Sequence, residues 1–534
     1  MSGLFGSFNV AVKGMNANQT ALHTTGHNIA NARTDGFNRQ RVELKADTPY
    51  NLSGVGQLGT GVRIQSVVRI VDEFVDIQIR NENSILSQYE AQYDTIGQIE
   101  MVFNEPSNTG LNFAMGEMFN AWQELSKNPE SLNAKSIVVE KSKAFADSLN
   151  HMASRANQLQ DDVVDNISKN VFDVNSLVTQ LNTVNDQIAN VQIKRQSPND
   201  LLDTRDQILK ELSTLSDIKT SYDKWGRASV SMGDQQITKI YGDNVAGEKN
   251  NMVLSNVVGI ETEPGQNYAL VQVGGDSSKV AKIKIDESQL NDFKPGTPMF
   301  YDVSDKGDFP KVEDFDSSKH AQASITSGVI GGHVNSMKEI EDRVNDLSKF
   351  AAGVKYAFNA IHNPGTPKIG HDFFTGDSSL DFSVNEDLIS DEGLVRTGKN
   401  IDSSPGDGSR ALAIANLRNM KINFNSTSDK LDDVNKYDDT DMSFKPEGTT
   451  TTMEGAYGDI VIKVGVKTEQ ASNMVDNQTA VLAQLYNRRE SVSGVSIDEE
   501  VTNLLKFQRS YEANSRVINT INEMLDTLIN RTGV

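Results

Sequence analysis

The 534-residue sequence contains no cysteine. That excludes disulfides, thiolate metal sites and thiol nucleophiles together. It suits work outside the cell, where a free thiol would be a liability. No run of about 18 apolar residues is present, so no membrane span is expected. The first residues, Met1-Ser2-Gly3-Leu4-Phe5-Gly6-Ser7-Phe8-Asn9, lack a basic start and a continuous apolar run. A cleavable secretory signal is therefore not expected, which leaves the cytosol or export by another route. Aromatics make up only 7%, a poor recipe for a dense core and a fair one for long, half-exposed helices. The 51 basic residues are outnumbered by 73 acidic ones, giving a net charge of −22. Such a chain repels phosphate backbones, so nucleic acid is not expected as a partner. Length alone implies two to four domains.

What is present is concentrated at the two ends. Leu4, Phe8, Ala11, Met15, Asn18, Leu22, Thr25 and Ile29 step by four and three, a heptad pattern with two polar interruptions. Gly3, Gly6, Gly14 and Gly26 dilute it, each at roughly 1 kcal/mol of helix propensity. This helix should form only against a partner. Asp35-Gly36 reads as a turn. At the other end, Ser496 and Glu499 make a capping box. Behind it Ile497, Val501, Leu504, Gln508, Tyr511, Ser515, Ile518, Asn522, Leu525 and Ile529 repeat the stepping. Residues 1–45 hold five basic and two acidic groups, and residues 490–534 hold four basic and seven acidic. Net charges of +3 and −3 favour pairing of unlike ends.

The interior is mostly helical. Ile85, Tyr89, Tyr93, Ile96, Ile99 and Phe103 form one stripe. From Ile137 to Ile193 there is neither proline nor glycine, and the near-heptad period implies a helix about 85 Å long. Pro198 breaks it, and Leu201–Leu215 resumes. Another helix is expected from about Ser336, with Glu339 in a second capping box, to Ile361. Residues 222–320 alternate in short runs between turns and read as a β-rich insertion. Residues 364–450 are turn-rich, and helix returns by about Ala471. The expected fold is mainly α with an inserted β domain. Its parts are a terminal unit (1–45 and 490–534), a helical rod (46–221 and 321–489) and an outer β domain (222–320).

Candidate chemistry is thin. His23 and His27 have the i, i+4 spacing of a metal clamp, but no glutamate base and no third ligand lie nearby. Asp302, Asp305, Asp308 and Glu313 are carboxylate-rich but lack the alternation of an EF-hand, so a solvated loop is expected. Asp429, Asp432, Asp433, Asp438, Asp439 and Asp441 read as solvated surface, and Asp203, Arg205 and Asp206 as local ion pairing. No nucleophile elbow, phosphate loop or dinucleotide fingerprint occurs. The chain is not expected to be an enzyme or to hold a cofactor or metal.

The stretch His27-Asn28-Ile29-Ala30-Asn31-Ala32-Arg33-Thr34-Asp35-Gly36-Phe37-Asn38-Arg39-Gln40 resembles the N-terminal signature of flagellar rod, hook and hook-associated proteins, with Asp35 where proline is usual. Ser493–Glu500 and Asn503–Ile518 resemble the matching C-terminal signature. Leu201-Leu202-Asp203-Thr204-Arg205-Asp206-Gln207-Ile208-Leu209 and Ser327-Gly328-Val329-Ile330-Gly331-Gly332 resemble motifs of the first type of hook-associated proteins. The resemblance implies a structural subunit at the hook–filament junction, exported by the flagellar type III apparatus to the extracellular flagellum. It implies self-assembly through Leu4, Phe8, Ala11, Met15, Leu22, Ile29, Ile497, Val501, Leu504, Tyr511, Ile518, Leu525 and Ile529. Implied partners are further copies, the hook protein, a second junction protein or flagellin, and an export chaperone on the C-terminal helix. Another axial protein of hook or distal rod, or an adhesin on a helical stalk, are the alternatives.

Overall fold

The computed structural model describes residues 2–531 except 53, 55, 104–109, 242–247, 305–308, 310, 366–369, 401 and 427–429. In chain order it runs α1 (Ser2–Ala30), β1 (Gln40–Ala46), β2 (Tyr50–Leu52), β3 (Gly56–Leu58), β4 (Val62–Arg69), α2 (Glu73–Phe103), α3 (Leu111–Lys127), α4 (Leu132–Gln192) and α5 (Asn199–Leu215). Then come β5 (Lys219–Tyr222), β6 (Ala228–Met232), β7 (Gln235–Gln236), β8 (Met252–Glu263), β9 (Gln266–Gln272), β10 (Val280–Ile285), β11 (Pro298–Asp302), β12 (Lys311–Asp314) and β13 (His320–Gln322). The rest is α6 (Gly328–His362), β14 (Phe374–Thr375), β15 (Ser383–Val384), α7 (Glu386–Ser390), α8 (Ser409–Asn416), α9 (Leu431–Asn435), β16 (Tyr437–Asp438), β17 (Ser443–Phe444), α10 (Met453–Ser493) and α11 (Ile497–Asp526). The fold is mainly helical, with a β-rich region inserted at mid-chain.

The rod is a bundle of α2, α4, α6 and α10, with α3, α5 and α8 packed on it. Ser131 caps α4 by accepting from the Ala134 amide. Its 61 residues span about 90 Å. The side chains at Phe145, Leu149, Met152, Ala156, Leu159, Val163, Ile167, Val171, Val174, Val178 and Leu181 are buried along one face. At one end of the rod an aromatic cluster closes the core. Phe358 lies 5.9 Å from Phe119, 6.2 Å from Trp122, 6.0 Å from Phe373 and 5.0 Å from Phe374 between ring centres.

The inserted region has two parts. Strands β5, β6 and β7 form a small sheet whose Ala228, Val230 and Met232 join the rod core. A six-stranded sheet in the order β12-β10-β9-β8-β11-β13 has a core of its own, built on Val257, Ala269, Val271, Ile283 and Tyr301. Its pairings are antiparallel except β10 with β12.

Asparagine ties these parts together. A carboxamide presents a donor and an acceptor side by side, as a neighbouring strand would. Asn185 on α4 donates to the Ala228 carbonyl (2.8 Å) and accepts from its amide (2.9 Å). Asn175, ten residues earlier, does the same to Leu254. Asn359 clamps Phe373 and Phe374, Asn363 clamps Gly370 and Asn435 clamps Asn423. In α4 and α6 these asparagines are where the helix grips strands and loops.

Several expectations are corrected. Residues 40–69 form a β hairpin, so the boundary expected after residue 45 falls inside β1. Arg41-Val42-Glu43-Leu44 alternates against Val62-Arg63-Ile64, with glycines between. Helix α6 begins eight residues before Ser336, and the Ser336 hydroxyl donates back to the Gly332 carbonyl (3.0 Å) in place of capping. The Gly331-Gly332 pair lies inside the helix, and glycine is needed at 332 because a Cβ there would meet the Gln88 carbonyl oxygen of α2 at 2.5 Å. Helix has returned by Ala471 as expected, with α10 starting at Met453 and the Thr452 hydroxyl accepting from the Gly455 amide (3.1 Å). Residues 364–450 are not merely polar turns, since Phe373, Phe374, Phe382 and Phe424 are buried. Asp439 is not idle surface, because it pairs with the fully buried Arg410 (3.2 Å). Asp432 accepts from the Tyr356 hydroxyl, and Asp438 pairs with Lys445. Asp429 lies outside the described residues.

Candidate functional site

The two chain ends meet along α1 and α11. Asn28 contacts Glu500, and Gly14 faces Asn514, so the helices run antiparallel with residue numbers summing to about 528. The line of closest approach is small-sided. Ala11, Ala17 and Ala21 are buried, and a Cβ on Gly14 would meet the Asn514 side-chain oxygen at 2.8 Å. The glycine that weakens α1 as an isolated helix leaves room for the Asn514 side chain of α11.

The residues expected to form the assembly interface are placed unevenly. Ala11 is buried, while Leu4, Phe8, Met15, Leu22, Ile29, Leu504, Tyr511, Ile518 and Leu525 are half-buried. Ile497, Val501 and Ile529 are exposed. Leu505, Val517 and Met524 of α11, and Leu528 just beyond its end, are also exposed. Only Glu500 and Ile521 of α11 are buried.

Where this pair joins the rod lies a polar joint. Residues 34–37 turn tightly, with the Phe37 amide donating to the Thr34 carbonyl (3.2 Å) and Gly36 at φ 78°. No proline stiffens the turn. Instead Gln207 of α5 stands 3.2 Å from where a Gly36 Cβ would be. Three consecutive residues then reach three ways. The Asn38 amide side chain donates to Asp203 of α5 (2.6 Å) and accepts from Arg489 of α10 (3.3 Å). Arg39 pairs with Glu500 (2.7 Å) and Glu499 (3.2 Å) of α11, and its backbone amide donates to the Ser493 carbonyl (3.0 Å). Gln40 is clamped by Asn28 at both backbone groups and donates to Asp200 (2.9 Å).

Behind these, Arg69 at the end of β4 bridges Asp203 (2.6 Å) and Asp206 (2.9 Å). Burial opposes charge on Arg69, but Asp206 and Asp203 outweigh it and hold the guanidinium firmly protonated. Arg205 pairs with Asp206 (2.6 Å) and donates to the Gly226 carbonyl (2.7 Å). The Asp203–Asp206 stretch, expected to pair locally, is thus the receptor for the N-terminal turn. Glu499 turns to Arg39, so only half the expected capping box forms, with Ser496 accepting from the Glu499 amide. His27 packs edge-on to Phe37 and lies 3.5 Å from Asp200, whereas His23 is exposed. Among the described residues no cluster of metal-binding side chains is found. Asp305 and Asp308 lie outside them, Asp302 accepts from the Ser304 amide and Glu313 from Tyr301.

Comparison with known proteins bears on this arrangement. The family model for the helical domain of flagellar hook-associated protein FlgK matches residues 96–292. Models for the flagella basal body rod protein and for the C-terminal part of the basal body rod FlgEFG proteins match residues 8–38 and 489–531. Flagellar hook-associated protein 1 of Bacillus subtilis (strain 168) is 29% identical over 100% of this chain and 99% of its own length. Along its whole length the chain is similar to flagellar hook-associated proteins of the FlgK type.

Flagellar hook-associated protein 1 of Escherichia coli (strain K12) is 25% identical over 98% of this chain and 99% of its own length. The flagellar hook junction protein FlgK from Burkholderia pseudomallei matches in fold, with a TM-score of 0.53 at 14% identity over 78% of this chain and all of that one. The two end models cover the helices that meet at the joint, and the FlgK helical-domain model covers α3, α4 and α5. Sequence reasoning missed Arg69, Arg489 and the Asn28–Glu500 contact, because these partners lie more than a hundred residues apart. The available signal was the density of Asn, Arg and Asp in residues 28–40 and 199–206, more than a plain turn needs.

Proposed function

We propose that this chain is a structural subunit of the bacterial flagellum that joins hook to filament, assembling through its terminal helices. The observation that carries the reading is the polar joint. It welds two chain ends some 460 residues apart (Arg39 to Glu500) to the rod while leaving an exposed apolar face on each flank of α11, with Val501 and Leu505 on one and Val517 and Met524 on the other. Such a face is stable only when covered. A neighbouring subunit covers it in a tube wall, and an export chaperone covers it beforehand.

The functional parts are a polymerising unit (1–45 with 490–534, extended by the hairpin to residue 69), a rod (70–221 with 321–489) and an outer β domain (222–320). Partners are other axial components: further copies, the hook protein on one side, and a second junction protein or flagellin on the other. The chain works by binding and shape, not by catalysis, and is placed outside the cell in the flagellum. A strain lacking this chain tests the reading. Hooks without filaments, with flagellin shed into the medium, are expected. Normal filaments on that strain would overturn it.

A further inference from the structure

We propose that the terminal helix pair carries a head-to-tail contact between copies, in which the apolar far end of one pair seats in a socket at the near end of the next. The inference rests on the assembly reading above and names the surfaces it uses.

The socket is a cavity of about 210 Å³ between α1, β1 and α11, lined by Ala21, Thr25, Val42, Leu44, Ile70 and Phe507 among others. Its hairpin rim is open and mixed, with Val42 and Leu44 beside Gln40 and Arg41. Leu44 is 47% exposed and sits opposite Ile64, also exposed, in the β1–β4 register. Nothing in the helical pattern of the ends requires this hairpin to show two large apolar side chains to solvent.

The complementary surface lies at the opposite end of the same pair. The antiparallel register sets Phe5 across from about residue 523. Phe5 and Met524 are each 53% exposed, with Leu528 and Ile529 beyond them. A chain cannot fill its own socket, because Met524 lies 17 residues past Phe507 along α11, on the order of 25 Å away. The charges agree with docking between copies. Exposed Arg41 lines the socket, where Glu500 is already paired with Arg39. Lys45 and Arg63 are exposed farther along the hairpin, and Glu523 and Asp526 are exposed at the far end. Two different patches at opposite ends of one element make a heterologous contact, which propagates as a ring or helix and does not close into a two-fold dimer. That is the symmetry a tube wall needs.

The absence of cysteine makes the test clean. Full-length chain carrying Leu44→Cys and Met524→Cys is expressed in the deletion strain, and isolated flagella are oxidised. A disulfide needs Cα atoms within about 7 Å, so the separation along α11 forbids an intrachain bond. A ladder of cross-linked multimers from assembled flagella, and none from monomer, is expected. Assembled flagella without the ladder, or with dimers only, overturn the head-to-tail contact while leaving the assembly reading intact. A wild-type chain that never enters the flagellum overturns the assembly reading instead. Two further arms keep the test decisive if the cysteines disturb assembly. Arg41→Glu should lower incorporation several-fold, and Arg41→Glu with Asp526→Lys should restore it; no restoration counts against the contact. A photo-crosslinking side chain at position 44 should capture residues 517–531 of a second copy, and capture of a different axial protein overturns the assigned occupant.

Discussion

The rod and the terminal pair are both written as apolar residues stepping by four and three, yet they are held by different physics. Helix α4 buries 22 of its 61 residues, and α11 buries two of thirty. In the rod, large side chains such as Phe145, Leu149 and Ile167 interlock on several sides. In the pair, Ala11, Gly14, Ala17 and Ala21 keep the line of contact small-sided, and Asn28, Arg39 and Glu500 supply directional bonds. Apolar area sets stability at about 25 cal/mol per Å², so the rod should stand alone and the pair should lean on the joint and on neighbours. A heptad pattern tells that a face will be covered; it does not tell by what.

The largest break in this comparison should come from the rod. Phe358→Ala removes a ring packed on four other aromatics and should cost about 3–5 kcal/mol. Chemical denaturation followed by near-ultraviolet circular dichroism should show the main transition moved while α1 and α11 keep their exchange rates. Glu500→Ala acts on the other side. It strands Arg39 and Asn28 at the joint and should weaken α11 by on the order of 3 kcal/mol. Hydrogen exchange should speed up across residues 497–526 with the rod transition unmoved; a shift of the rod transition would contradict the division.

Acid should also single out the rod. His362 is fully buried, and burial pushes its imidazole down to about 3. Its folded value lies below the unfolded one, so the neutral form is favoured by folding. That stabilisation is complete above about pH 6.5 and is lost as pH falls toward 3. By pH 5 the loss should be about 2 kcal/mol. His362→Gln, which keeps a polar group but cannot titrate, should flatten denaturation midpoints between pH 5 and 7. The smallest effects sharpen the comparison through one change at two sites. Gly332→Ala meets the rigid Gln88 backbone in the rod and should cost about 1–3 kcal/mol. Gly14→Ala meets only the flexible end of Asn514, and its gain of roughly 1 kcal/mol in helix propensity should nearly offset that contact.

Much of the helical framework was legible because long runs repeat one period many times. The α4 stripe carries the signal over some fifteen turns, and the signatures at residues 27–40 and 493–518 carry the resemblance. The failures have a common cause, which is that local rules were overruled by distant partners. Gly331-Gly332 looks like a break and lies inside the helix, with glycine needed at 332 where α2 crosses. Ser336 and Glu339 look like a cap and lie mid-helix, with Glu339 bridging to Lys467 of α10 (3.0 Å). Asp203, Arg205 and Asp206 look like neighbours pairing with one another, and two of the three serve Arg69 and Asn38. The hairpin at 40–69 was legible in its alternation, but its value as a socket rim appears only beside α1 and Phe507.

Hydrogen exchange of the free monomer, compared peptide by peptide with the assembled junction, tests the central claim most directly. The account predicts strong protection across α4 and α6 in both states. It predicts weak protection of α1 and α11 in the monomer, rising on assembly by at least the tenfold that about 1.4 kcal/mol represents. Monomeric α11 protected as well as α4 would contradict it, since the terminal pair would then be a finished domain needing no neighbour.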